Sequence, residues 1–161
     1  MLGLTPLGVI HTAISLVAVV SGFWALARDR EIRLNPLGKV YLVATLLTAA
    51  TGLGIFQHGG FGPPHALSIL TLFAVALGTV AAISAPFGRA SRYIQAISYS
   101  ITMLFHMIPG FTETLTRLPP GAPLVASAEA PIFQGIYGTL LLIFLIGLAF
   151  QLRWLRSSLP R

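Results

Sequence analysis

The sequence predicts an all-α fold, a polytopic transmembrane helix bundle of five spans. Three observations carry this. Of the 161 residues, 55% are hydrophobic and only 9% are charged, where a soluble domain carries about 25% charged residues. The apolar residues gather in runs of about 20, the length that crosses a ~30 Å hydrocarbon core as helix. Nine of the ten Lys and Arg residues fall in alternate connections between those runs or after the last one.

The spans are expected at about 6–27, 36–56, 64–85, 92–108 and 131–152, forming one transmembrane helical domain over 1–161. Pro6, Pro36, Pro64 and Pro131 stand at helix starts, where a missing backbone N–H costs nothing. Asn35 is a suitable N-cap for the second span. The fourth span is the least apolar. It carries Gln95, Ser98, Tyr99, Ser100, Thr102 and His106, and Pro109-Gly110 interrupts it. The span is expected to end there, with 111–118 able to continue as a kinked or interfacial helix. The segment 119–130, rich in Pro and Gly, reads as an irregular loop.

Charge fixes the expected orientation. Arg28, Arg30, Arg33 and Lys39 lie between spans one and two, Arg89 and Arg92 between three and four, and Arg153, Arg156 and Arg161 after five. Only Arg117 lies on the other side. Positive connections stay inside, which puts the N-terminus outside and the C-terminus in the cytoplasm. Trp24 and Trp154 then fall near the cytoplasmic interface, where an indole is favoured. The N-terminus has no basic stretch before its apolar run, so the first run is expected to stay as a span. The net charge of +6 does not indicate nucleic acid, because the basic residues are scattered and form no patch. With no cysteine, thiolate metal and redox sites are excluded.

This topology places all four histidines on the outer side. Counting helix rise, His11 stands about 25 Å from Arg28, His106 about 21 Å from Arg92, and His58 about 28 Å from Lys39. His65 opens span three at the outer face. An ionisable side chain within a span usually faces the bundle interior or a water-filled cavity, and imidazole is a common metal ligand. His106, His11 and His65 are therefore the candidate cofactor ligands, with His58 and Glu113 as further metal-ligand candidates. A transition metal or haem is the cofactor such a set would hold. The alternative for each is plain. His58 and His65 flank a Gly- and Pro-rich loop and suit a solvated interface, and His11 and His106 suit hydrogen bonds between helices. No local metal-binding spacing such as HExxH is present.

Gln95, Tyr99, Thr102 and His106 recur at helical spacing and share one face of span four. That face is expected to point at the other helices. It suits a proton path, a pocket for a quinone head or a cofactor's surroundings, and equally the hydrogen bonds that hold a bundle together.

PLGVIHTAISLVAVVSGFWAL, a basic turn and LNPLGKVYLVATLLTAATGL together resemble the opening of a bacterial family of inner-membrane proteins of unknown function. That family has an early histidine, matched by His11, and a basic G-[KR]-x-Y start to its second span, matched by Gly38-Lys39-Val40-Tyr41. HMIPGFTETLTRLP resembles a further segment. Asn35 stands where the family has a histidine. The resemblance implies fold and location. A looser likeness links the chain to membrane cytochrome b subunits, which hold haem between paired histidines. It implies one haem here at most, since no histidine lies on the cytoplasmic side.

Three functions compete: binding of a metal or haem near the outer face, with electron transfer as its use; a cofactor-free accessory subunit of a larger membrane complex; and a small-molecule carrier or sensor. The expected partners are the lipid bilayer, other membrane subunits or a quinone. No nucleotide motif or nucleophile constellation marks a hydrolase, and whether the chain is an enzyme stays open.

Overall fold

A computed structural model describes residues 5–56 and 60–158. Among these residues the fold is all helical, in the order α1 (Pro6–Asp29), α2 (Pro36–Gly52), α3 (Pro63–Ser84), α4 (Ala90–Arg117) and α5 (Ile132–Ser158). Three of them, α1, α3 and α5, are long and apolar enough to cross a membrane. α2 is shorter than expected at 17 residues, or about 26 Å of rise.

The helix starts follow local chemistry. Thr5 caps α1 through a bond from the Gly8 N–H to its Oγ1 (3.1 Å), and Asn35 caps α2 through the Gly38 N–H (2.9 Å). Pro6 and Pro36 follow these caps in the first turn, where no intrahelical partner is lost. Gly38 is required by packing, because a Cβ there would run into the Arg33 carbonyl oxygen.

α1 packs mainly on α2, α3 on α4, α2 on α3 and α4 on α5, with a lighter contact between α1 and α4. The connections cluster at two ends. At one end the 30–35 loop meets the starts of α2 and α4 and the last turns of α5. This is the basic end. At the other, His11 of α1 meets the end of α2, and His65 of α3 meets Phe56. This is the histidine end.

The interior is small and polar, and the outside is apolar. Ala18, Ser21, Gly22 and Ala25 of α1 are buried, as are Thr45 and Thr48 of α2, Ser68, Thr71 and Gly78 of α3, and Ser98 and Thr102 of α4. Val20, Phe23, Phe73, Ile83, Ile143 and Phe150 are exposed. Water would penalise that distribution and lipid would not. Small residues let backbones approach closely, as at Gly78, where a Cβ would sit 2.6 Å from Cε1 of the buried Tyr99 ring.

α4 departs from the expected 92–108 span. It runs unbroken through Pro109 to Arg117. Proline removes one backbone donor, and in an apolar setting neighbouring helices and hydroxyls re-satisfy what it frees. Next to it, the Thr112 hydroxyl bonds the Ile108 carbonyl (2.9 Å) and reaches the Tyr137 hydroxyl of α5 (2.6 Å).

α5 touches the bundle chiefly at its two ends. Its buried residues are Phe133, Gln151 and Leu155. Gln151 accepts from Ser100 of α4 (2.9 Å) and donates to the Arg30 carbonyl (2.9 Å). Leu142, Ile146 and Phe150, between these anchors, face outward.

Candidate functional site

The polar face of α4 is buried as its spacing implied. Gln95, Tyr99, Thr102 and His106 are each less than a tenth exposed. Opposite lies a second stripe, on α2, made of Tyr41, Thr45, Thr48 and Thr51. Sequence reasoning missed it, although its spacing places these residues on one helical face. The two stripes meet side by side. Thr102 donates to the Tyr99 carbonyl (2.7 Å), so its oxygen is left to accept from the Tyr41 hydroxyl (2.5 Å). Thr45 also stands beside that hydroxyl, and its Oγ1 lies 3.1 Å from His106 Nε2. The His106 ring meets the Tyr41 ring edge-on, with centroids 6.3 Å apart.

His11 is held by the outer part of the same stripe. Thr51 donates its hydrogen to the Leu47 or Thr48 carbonyl (2.8 and 3.0 Å). His11 Nδ1 lies 2.9 Å from Thr51 Oγ1, and the Thr48 backbone is within hydrogen-bond reach of the same ring. With the Thr51 hydrogen on a carbonyl, the tautomer that suits this contact carries its proton on Nδ1. His11 and His106 lie within electrostatic range of each other, and His11 within range of Glu113.

His65 is 4% exposed, between the Phe56 and Phe61 rings at 4.5 and 5.4 Å. Its Nδ1 accepts from the Gly62 N–H (3.2 Å). Its Nε2 then carries the proton, and it is buried with no hydrogen-bond partner among the described residues. In this tautomer neither nitrogen offers a lone pair to a metal. Glu113 pairs with Arg117 one turn along α4 and is half exposed. His58 lies outside the described residues. Among the described residues, no three of His, Asp and Glu come together as a metal-holding group. Among the described residues, His11, His65, His106 and Glu113 therefore do not gather as one metal-holding group.

One further carboxylate drew no attention in the sequence. Glu31, 0% exposed, accepts from Arg33 (2.7 Å) and from two nitrogens of Arg92. Gln95 donates to the neighbouring Ile32 carbonyl (3.1 Å), and the Arg30 guanidinium lies 5.9 Å over Trp154. This network ties the 30–35 loop to α4 and α5. Comparison with protein-family models, curated proteins and solved structures finds no match.

Proposed function

We propose that this chain is a small multi-pass membrane protein that binds a transition-metal ion or haem iron through His11 and His106 at its histidine end. The observation that supports it best is the way the two imidazoles are held. Each places one ring nitrogen beside an α2 threonine hydroxyl, and a ligand would take the other nitrogen. Metal-binding histidines are usually oriented in this way by a partner on the second nitrogen. Electron transfer is the use most compatible with such a site in an apolar bundle. The reading includes five crossings, with the N-terminus outside, in a bacterial inner membrane. Its support is the gathering of Arg28, Arg30, Arg33 and Arg92 at one end and the positive-inside rule.

The test is a visible absorption spectrum and metal analysis of the protein purified from its native membranes. His11→Ala and His106→Ala should each lose the metal or the haem bands, while His65→Ala should keep them. A protein that purifies colourless and metal-free, and that takes up neither added copper nor haemin, would overturn the reading.

The accessory-subunit reading has its own support in α5. A long apolar helix anchored near its ends leaves its middle free to pack on another membrane protein. Crosslinking in native membranes from a photoreactive residue at Ile146 tests it.

A further inference from the structure

Two adjoining hollows run along the lipid-side face between α1 and α2. The first is lined by Ile14 and Val17 of α1 and by Pro36, Lys39, Val43 and Leu47 of α2. The second is lined by Leu16, Val20 and Trp24 of α1 and Leu37 of α2. Val17 and Val40 belong to both, so they form a shared wall. Both linings are almost wholly apolar. From Pro36 to Leu47 the α2 backbone rises about 16 Å, roughly half a hydrocarbon core. Each hollow therefore has a size suited to one acyl chain within one leaflet.

The polar mouth of this face lies at the basic end. Arg28 there is paired with Asp29 at 2.7 Å, and Arg33 with Glu31 at 2.7 Å. Lys39 is exposed at the head of the first hollow and has no ion pair among the described residues. Its ammonium is thus a cation beside the hollows that no carboxylate among the described residues neutralises. Trp24 lines the second hollow near the same level, where an indole N–H suits the glycerol ester region.

We propose that this face holds an anionic, two-chain glycerophospholipid, with one acyl chain in each hollow and its phosphate on Lys39. The twin grooves specify two chains. The unneutralised lysine specifies a net negative headgroup, because a zwitterionic one brings its own cation to the same place.

The test is native mass spectrometry of the full chain in detergent, with palmitoyl-oleoyl phosphatidylglycerol or phosphatidylcholine added. Wild type should retain the glycerol lipid roughly five-fold better, the equivalent of about 1 kcal/mol for one lysine at a membrane surface. Lys39→Gln, an exposed change, should erase that preference with helicity unchanged. Val40→Trp, which fills the shared wall, should lower retention of both lipids. Free glycerol 3-phosphate should not compete. Equal retention of the two lipids by wild type, a preference that survives Lys39→Gln, retention untouched by Val40→Trp, or competition by glycerol 3-phosphate would each overturn the proposal.

Discussion

The two ends of this bundle treat their polar groups in opposite ways. At the basic end, Glu31 is fully buried and meets guanidiniums from Arg33 and Arg92, while Gln95 and Gln151 take up the loop carbonyls of Ile32 and Arg30. At the histidine end, His11 and His106 each spend one nitrogen on a threonine, and His65 buries an N–H with no acceptor among the described residues. A buried carboxylate is tolerated only when paired and hydrogen-bonded. A closed network of that kind fixes a loop and has no valence left for a ligand. An open one costs stability and leaves atoms available, which is the usual condition of a binding site. Stability losses should therefore concentrate at the basic end and, on the proposed function, losses of bound metal or haem at the histidine end.

The largest expected effect is Arg92→Met. It leaves the Glu31 carboxylate buried with Arg33 as its remaining guanidinium. Removing one partner of a fully buried pair typically costs about 3–5 kcal/mol; Arg92 is 37% exposed and the Arg33 contact is retained, so the loss falls at or below the lower end of that range. Thermal unfolding in detergent should show the drop, and adding Glu31→Gln should recover part of it. A variant as stable as wild type would mean that the loop is not held by this network, and the contrast between the ends would fail.

Gly78→Ala comes next. The new methyl would lie 2.6 Å from Cε1 of Tyr99, whose ring is buried and whose hydroxyl is tied to Thr79 at 3.0 Å. Overpacking of this kind costs about 1–3 kcal/mol. The same unfolding measurement checks it, and cofactor content per folded molecule should be unchanged. Loss of cofactor without loss of stability would instead couple the α3–α4 contact to the site.

Much of this arrangement was legible in the sequence, for identifiable reasons. The α4 stripe could be read because Gln95, Tyr99, Thr102 and His106 are polar residues at helical spacing in an apolar run. The helix starts could be read because Pro6 and Pro36 follow capping residues. Glu31 could not be read. It lies among arginines in a short loop, and only the fold brings Arg92 to it from α4. Nor could the length of α4. Pro109 signals a break, but whether a helix continues past proline depends on neighbours such as Tyr137, which are set by tertiary packing. The histidines' mutual placement could not be read, because three different helices carry His11, His65 and His106 and each helix's rotation is fixed by its packing.

Tyr41→Phe probes the region between the ends. It deletes the hydroxyl that donates to Thr102 and stands beside Thr45. Thr102 keeps its bond to the Tyr99 carbonyl, so its donor stays satisfied. Hydrogen bonds between membrane helices average about 0.6 kcal/mol and reach about 1.7, and a loss in that range is expected on unfolding. If metal or haem content also falls, the Tyr41–Thr45 contact orients His106, and the site extends further toward the basic end than the two histidines alone.

The smallest expected effect, and the sharpest discriminator, is His65→Phe. The imidazole makes one bond, from the Gly62 N–H to Nδ1, and losing it costs on the order of 1 kcal/mol. Against this, the substitution removes a buried N–H without an acceptor, a group whose desolvation costs about 1–3 kcal/mol when nothing satisfies it. A phenyl ring also stacks between Phe56 and Phe61 as an imidazole does. The two contributions nearly cancel, so the unfolding temperature should move little, upward if at all, and cofactor content should stay at the wild-type level. A clear fall in stability would mean that Nε2 has an acceptor in the membrane, such as a water or a ligand carbonyl, and the histidine end would then bind through a third imidazole acting as a donor. A loss of metal or haem would go further and return His65 to the ligand set beside His11 and His106.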